Sequence, residues 1–254
     1  MEVHGNVAVV TGGAAETGRA IALRLARDGA AVVVADVDER AGHSTVEAIE
    51  ERGTPAAFVR ADMTSDADVA AMLAFTRRWR GGPQILVNNA GGGGHIEPHF
   101  PDATPGEWGA TLDLNLRGPM LATQLALDAM RGSGGGVVVN VASTAGLGFA
   151  DYQSPEYGAA KAGLIRFTST LARLRDRAGV RVNCVVPDWI ATERAQTELA
   201  GMTERERAEL PTPVPMDDVA DAVVRFVNDE TLAGRVLLLL GDEPPRLIGN
   251  GHPE

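Results

Sequence analysis

The sequence predicts an α/β fold, a doubly wound sheet of seven parallel strands with helices on both faces. Three observations predict it. Short β-branched, apolar runs alternate with longer segments of helical period, the order of a βαβ series. Several of these runs are apolar throughout, as strands covered on both faces require. The chain's 254 residues, 44% of them apolar, suffice for one sizeable core. No repeat, low-complexity linker or composition shift divides them, so residues 1–254 read as a single domain.

Strands are expected at residues 7–10, 31–35, 56–59, 85–88, 137–141, 180–186 and 236–240, and helices at 18–27, 40–52, 66–79, 107–130, 155–177 and 217–228. After the first strand comes Thr11-Gly12-Gly13-Ala14-Ala15-Glu16-Thr17-Gly18, a turn that opens a helix. Such a turn aims backbone N–H groups and the helix dipole at a pyrophosphate. The second strand ends at Asp36, an acid suited to accept hydrogen bonds from an adenosine ribose and to repel a 2′-phosphate. No basic residue stands at Ala14, Ala15 or Val37. Asp62 and Met63 follow the third strand, and the fourth runs into Asn88-Asn89-Ala90-Gly91. Asn115 interrupts an apolar helix and needs buried partners there. The fifth strand leads to Ser143. Ser154-Pro155 then reads as a helix start, a capping hydroxyl followed by proline at the first helical position. That start puts Tyr157 in the first turn and Lys161 one turn later on the same face. Pro187-Asp188-Trp189-Ile190-Ala191-Thr192 follows the sixth strand. Two long irregular stretches, 91–105 and 192–215, fall where site-forming loops belong.

Composition removes several functions. Lys and Arg number 23 against 34 Asp and Glu, a net charge of −11, so nucleic acid and anionic membranes are not expected partners. A lone cysteine, Cys184, cannot form an intrachain disulfide. No apolar run approaches bilayer-spanning length, and the first residues pass straight into an apolar strand, so cytoplasmic residence is expected. His95-Ile96-Glu97-Pro98-His99 lacks the H-E-x-x-H spacing, and Pro98 would disturb a helix, so no metal is expected.

A lysine ammonium beside a phenol favours the phenolate and lowers a pKa that is otherwise about 10. A phenol so tuned passes a proton to or from an alcohol oxygen near neutral pH. Tyr157-Gly158-Ala159-Ala160-Lys161, with Ser143 fourteen residues before the tyrosine, the glycine-bearing turn and Asn88-Asn89-Ala90-Gly91, resembles the short-chain dehydrogenase/reductase family. The resemblance runs from Val7 to about Leu240 and implies a Rossmann-type fold.

It also implies roles. Ser143 would hold the reacting oxygen, with Thr144 a lesser substitute, and Tyr157 would be the general acid/base. Lys161 would bind the nicotinamide ribose and lower the Tyr157 pKa. Asn115 would complete a proton relay to solvent. Gly12, Thr17, Gly18, Asp36, Asp62, Met63, Asn89, Ala90 and Gly91 would hold the adenosine and diphosphate. Tyr157, Lys161, Pro187, Ile190 and Thr192 would hold the nicotinamide end. The expected activity is NAD(H)-dependent interconversion of a small secondary alcohol and a ketone. Relatives pair long helices into dimers or tetramers, so a homo-oligomer, such as a homotetramer, is implied. His95, Ile96, His99, Phe100, Phe149, Tyr152, Trp189 and Arg194 are the candidate substrate rim, and Arg194 reads first as a solvated loop residue.

The chain departs from the family at three places. Glu16 replaces the middle glycine of T-G-x-x-x-G-x-G, where a carboxylate repels a diphosphate unless it points outward. Thr17 would offset part of that loss through its hydroxyl. Asp188 replaces the glycine of P-G-x-I-x-T, and a carboxylate there is expected to favour the oxidised, cationic cofactor. Gly241-Asp242-Glu243-Pro244-Pro245 replaces a closing D-G-G, and the tail 246–254 leaves the pattern. Two other readings stay open: a non-redox epimerase or dehydratase on this fold, and, motivated by Glu16 and Asp188, a cofactor-sensing regulatory protein with little catalysis.

Overall fold

A computed structural model describes residues 1–148, 152–208 and 210–248. Phe149 and the end of the tail, 249–254, lie outside the described residues. The strands are β1 (Val7–Thr11), β2 (Ala31–Asp36), β3 (Ala56–Arg60), β4 (Ile85–Asn88), β5 (Gly136–Val141), β6 (Val180–Pro187), β7 (Val236–Leu240) and β8 (Glu243–Ile248). The helices are α1 (Glu16–Arg27), α2 (Glu39–Glu50), α3 (Asp66–Arg80), α4 (Pro105–Leu112), α5 (Gly118–Gly132), α6 (Pro155–Thr170), α7 (Leu174–Ala178), α8 (Glu193–Ala200), α9 (Glu204–Ala208) and α10 (Met216–Asn228).

The strands form one sheet in the order β3-β2-β1-β4-β5-β6-β7-β8. All seven expected strands are parallel to their neighbours, and β8 adds an antiparallel edge, with Val236 opposite Ile248 and Leu238 opposite Arg246. Strand order reverses between β1 and β4, which opens a crevice beyond their carboxyl ends. The strand residues alternate between two buried layers. Val10, Val32, Val34 and Val87 pack with Ile21, Leu25 and Phe226 of α1 and α10. Val9, Val33, Leu86 and Val138 pack with Met72, Ala122 and Ala126 of α3 and α5. Burial on both faces explains why these strands read as continuous apolar runs.

Four expectations need correction. An eighth strand, β8, follows the seven expected ones and contains Pro244 and Pro245. An edge strand tolerates proline, since one side of it donates no ladder bonds. The helix expected at 107–130 is α4, a π turn over Asp113–Arg117, and α5. Asn115 Nδ2 donates to the Thr111 carbonyl at 2.9 Å, and Pro119 has no N–H, so the α-helical ladder is disturbed on both sides of Asn115. The helix expected at 155–177 stops at Thr170 and resumes as α7. Thr168, Ser169 and Thr170 turn their hydroxyls back on the carbonyls of Leu164, Arg166 and Phe167, and such bonds compete with helix continuation. The stretch 192–215 is not irregular: it holds α8 and α9, with Thr192 capping α8 through its hydroxyl.

Arg181 is a charge inside β6 that the apolar pattern concealed. Only 6% exposed, it donates Nη1 to the carbonyls of Phe226, Asp229 and Leu232, and Nη2 to that of Val227. It thus satisfies the carboxyl end of α10. Arg181→Met strips these carbonyls of partners and is expected to destabilise the fold by about 3 kcal/mol, read as a lower urea midpoint at unchanged m-value.

Candidate active site

At the crevice the chain passes from strand to helix with little room. A Cβ on Gly18 would collide with the Gly12 carbonyl oxygen, so the turn closes only around glycine. Thr11 and Asn89 tie this turn to the strand beside it. Thr11 Oγ1 accepts from the N–H groups of Asn89 and Ala90, and Asn89 Nδ2 donates to the carbonyls of Thr11 and Gly12. Asp36, at the end of β2, accepts from the Ala14 and Asp38 N–H groups through separate oxygens. Each oxygen retains a lone pair for a hydroxyl. The result is a cleft of about 780 Å³, and every residue assigned above to the cofactor lines it.

Ser143, Tyr157 and Lys161 line the same cleft. β5 delivers Ser143, whose Oγ accepts from Ala145 N at 3.2 Å. α6 delivers the other two. Ser154 sits at the start of α6 without capping it, against expectation. Its hydroxyl instead lies beside the Glu156 carboxylate. Burial raises the Glu156 pKa, but its own N–H, His99, Ser154 and the Phe100 N–H outweigh this and hold it below the usual range. The His99 Nδ1 to Glu156 contact of 2.9 Å fastens the 91–105 segment to the helix carrying Tyr157.

Asn115 lies just behind the cleft, fully buried. Its Oδ1 accepts from Gly92 N, and its Nδ2 donates to Gly92 O at 2.8 Å. A Cβ on Gly91 would lie 2.8 Å from Asn115 Oδ1 and 2.9 Å from Lys161 Nζ, so both groups converge on this point of the backbone. Of the rim residues, His95, Tyr152, Trp189 and Arg194 face the cleft. Ile96, His99 and Phe100 do not line it. Gly94, which the sequence did not single out, packs so closely on Tyr157 that a Cβ would touch its ring at 2.9 Å.

These features have counterparts among known proteins. Residues 6–202 match the family model described as short chain dehydrogenase. The chain is 34% identical to the cis-4-hydroxycyclohexanecarboxylate dehydrogenase of Sinomonas cyclohexanicum, over 92% of this chain and 95% of that protein. It is 33% identical to the D-beta-hydroxybutyrate dehydrogenase of Cupriavidus necator, over 97% and 94%. Its fold matches the L-sorbose reductase of Gluconobacter frateurii, solved with NADPH and L-sorbose, at a TM-score of 0.85 and 27% identity, over 95% of this chain and 97% of that one. The chain belongs to the short-chain dehydrogenase/reductase family.

Burial governs the charges of this cleft. Burial pushes the Tyr157 phenol up to about 12, and Tyr152, stacked on it at 6.0 Å, adds to the rise. The Ser143 hydroxyl and the Arg194 guanidinium lower it only in part. Lys161 is not among the groups that shift the phenol. The ammonium stands 5.5 Å from the ring centroid and donates to the Val141 carbonyl at 3.1 Å. Burial takes Lys161 itself down to about 8, against a small opposite pull from Cys184. Glu16 adopts φ +45°, the left-handed conformation a glycine would take, and its Oε1 accepts from Glu193 N at 2.9 Å. Its carboxylate thus reaches across to the start of α8. Thr144, the lesser candidate for the Ser143 role, donates its hydroxyl to Asp188 Oδ1 at 2.6 Å.

Among the described residues, no helix is long and apolar enough to cross a membrane.

The lowered Lys161 pKa carries a stability prediction. Between about 8 and its ordinary 10.5, the unfolded chain holds a proton that the folded chain has released. Stability contributed by this group therefore rises with pH across that window. Lys161→Met is expected to be at least as stable as the native chain at pH 7 and to fall behind it towards pH 10. Thermal melts of both proteins at the two pH values check this; a gap independent of pH would refute it.

Proposed function

We propose that this member of the family interconverts a secondary alcohol and a ketone with NAD(H). The observation that carries the reading is the meeting of Ser143, Tyr157 and Lys161 in the cleft whose other half is the glycine turn and Asp36. The residues present fit a dinucleotide. Thr17 and Gly18 bring the start of α1 to the edge of the cleft, and Asp36 keeps acceptor capacity at the end of β2. The absence of a basic residue at Val37, which is 54% exposed, favours NAD over NADP.

A bound nicotinamide ring supplies the hydride acceptor or donor. The protein supplies the rest. Tyr157 takes the hydroxyl proton of the alcohol in oxidation and returns it in reduction. Ser143 donates a hydrogen bond to the same oxygen as its charge changes. Lys161 brings a donor to the ribose side and a positive charge to the phenol. Asn115 holds the Gly91–Gly92 backbone beside Lys161. Two curated relatives are named for oxidising hydroxy acids, which supports a secondary alcohol as the substrate class. Met120 and Leu125 lie exposed on α5, which suits pairing between copies in a dimer or tetramer.

Calorimetric titration with NAD⁺, NADH and NADP⁺, followed by a screen of secondary alcohols, tests the reading. Tight NADH binding with weak NADP⁺ is expected, and preference for NADP⁺ would overturn the Asp36 assignment. Turnover without net NADH formation would favour an epimerase or dehydratase. Tyr157→Phe should lower kcat by about 10² to 10⁴-fold while leaving cofactor affinity within a few-fold. Asp36→Ala combined with Val37→Arg should move the cofactor preference towards NADP⁺ by about tenfold or more, read as the ratio of dissociation constants.

A further inference from the structure

The turn after β6 places a carboxylate inside the cleft. The Asp188 N–H donates to the Leu239 carbonyl at 2.9 Å, so the neighbouring strand fixes the turn. The side chain lines the cleft together with Ser143, Tyr157 and Lys161. Its Oδ1 accepts from Thr144 Oγ1 at 2.6 Å. Thr144 is a neutral donor, so this bond positions the charge without cancelling it. It also holds the carboxylate against the residue next to Ser143.

We propose that Asp188, held by Thr144, sets the redox preference of the cofactor site by binding the oxidised nicotinamide in preference to the reduced one. The inference rests on the cofactor reading above. Hydride transfer needs the ring carbon in contact with the carbon whose oxygen Ser143 and Tyr157 grip, at about 3 to 3.5 Å. A ring so placed shares one half-solvated pocket with the Asp188 carboxylate. The oxidised ring is cationic and the reduced ring neutral, while the diphosphate, riboses and adenine are identical in both. The contributions of Glu16, Asp36 and Asp62 to the distant parts of the cofactor therefore cancel in the ratio of affinities. Lys161, Arg194 and His95 oppose a cationic ring, and they do so equally in the native chain and in a variant at residue 188. What changes with residue 188 is one negative charge a few Å from the ring, worth roughly fivefold to tenfold in affinity for the oxidised form.

Two consequences follow for turnover. Reduced cofactor is held less tightly and leaves more readily, which favours repeated oxidation of alcohol. The bound couple becomes a stronger reductant, by about 30 mV for each tenfold in the ratio of affinities.

The test is direct titration with NAD⁺ and NADH of the native chain, Asp188→Asn and Asp188→Gly. Asparagine keeps the size of the side chain and can still accept from Thr144. Glycine serves if the asparagine variant does not fold. Removal of the charge should raise the ratio of the NAD⁺ to the NADH dissociation constant about fivefold to tenfold, mainly by weakening NAD⁺. Both cofactors binding with a ratio within twofold of native would overturn this inference and leave the dehydrogenase reading standing. Failure of the native chain to bind either cofactor would overturn both.

Discussion

One buried hydrogen bond, from the Asn88 amide to the Asn140 side-chain oxygen at 2.8 Å, governs how this cleft is assembled. It joins β4 to β5 at the carboxyl edge of the sheet, beneath the residues that line the crevice. The chain of bonds continues in both directions. Asn88 Nδ2 also reaches Thr123 of α5, and Asn140 Nδ2 reaches Thr168 of α6. Two helices and two strands are thereby locked in register by groups that have no water to fall back on. The helix that carries Tyr157 and Lys161 is one of them. Its far end is fixed by Thr168 and its near end by the Glu156 contact with His99 of the 91–105 segment, so both functional side chains sit between two fixed ends.

The sequence made the sheet legible because both faces of it are covered. A strand buried on both sides is apolar along most of its length, and a run such as Val7 to Val10 admits few other readings. The cleft was legible because the residues that line it cluster next to strand ends. What escaped was polar chemistry that acts through hydroxyls and guanidinium groups on distant backbone. Arg181 in β6 serves a helix end some 45 residues away, and nothing in its neighbourhood announces this. The break after Thr170 comes from three successive hydroxyls whose effect depends on rotamer rather than on residue type. The position of Ser154 before Pro155 reads as a cap, yet its hydroxyl makes no capping bond. The stretch that replaces a closing D-G-G runs into the edge strand β8, Glu243–Ile248.

Burial also explains why the Tyr157–Lys161 pair is not a simple ion pair. Desolvation favours the neutral form of each, which lifts the phenol to about 12 and lowers the lysine to about 8. The two shifts move the groups apart on the pH scale, so burial favours neither the phenolate nor the ammonium. On the proposed reading, further positive charge is needed before the phenolate becomes accessible near neutrality, and the oxidised ring carries it. Proton transfer at Tyr157 would then be coupled electrostatically to the redox state of the cofactor.

The same segment of chain absorbs both glycine replacements in the site. Asp188 begins it and is bonded to Thr144 on the β5 side. Glu193 ends it, and its N–H is taken by the Glu16 carboxylate from the phosphate turn. Between these anchors, Ile190 bridges to Val214 and Thr192 caps α8. Glycines at 16 and 188 would leave this segment free of both side-chain bonds. Here two carboxylates pin it across the mouth of the cleft, one at each end. The Glu16 carboxylate is thereby committed to a backbone N–H rather than free to lie against a diphosphate. The geometry accounts for how a residue of unfavourable charge is accommodated at a turn built for phosphate. It also makes the two substitutions parts of one arrangement rather than two separate losses from the family pattern.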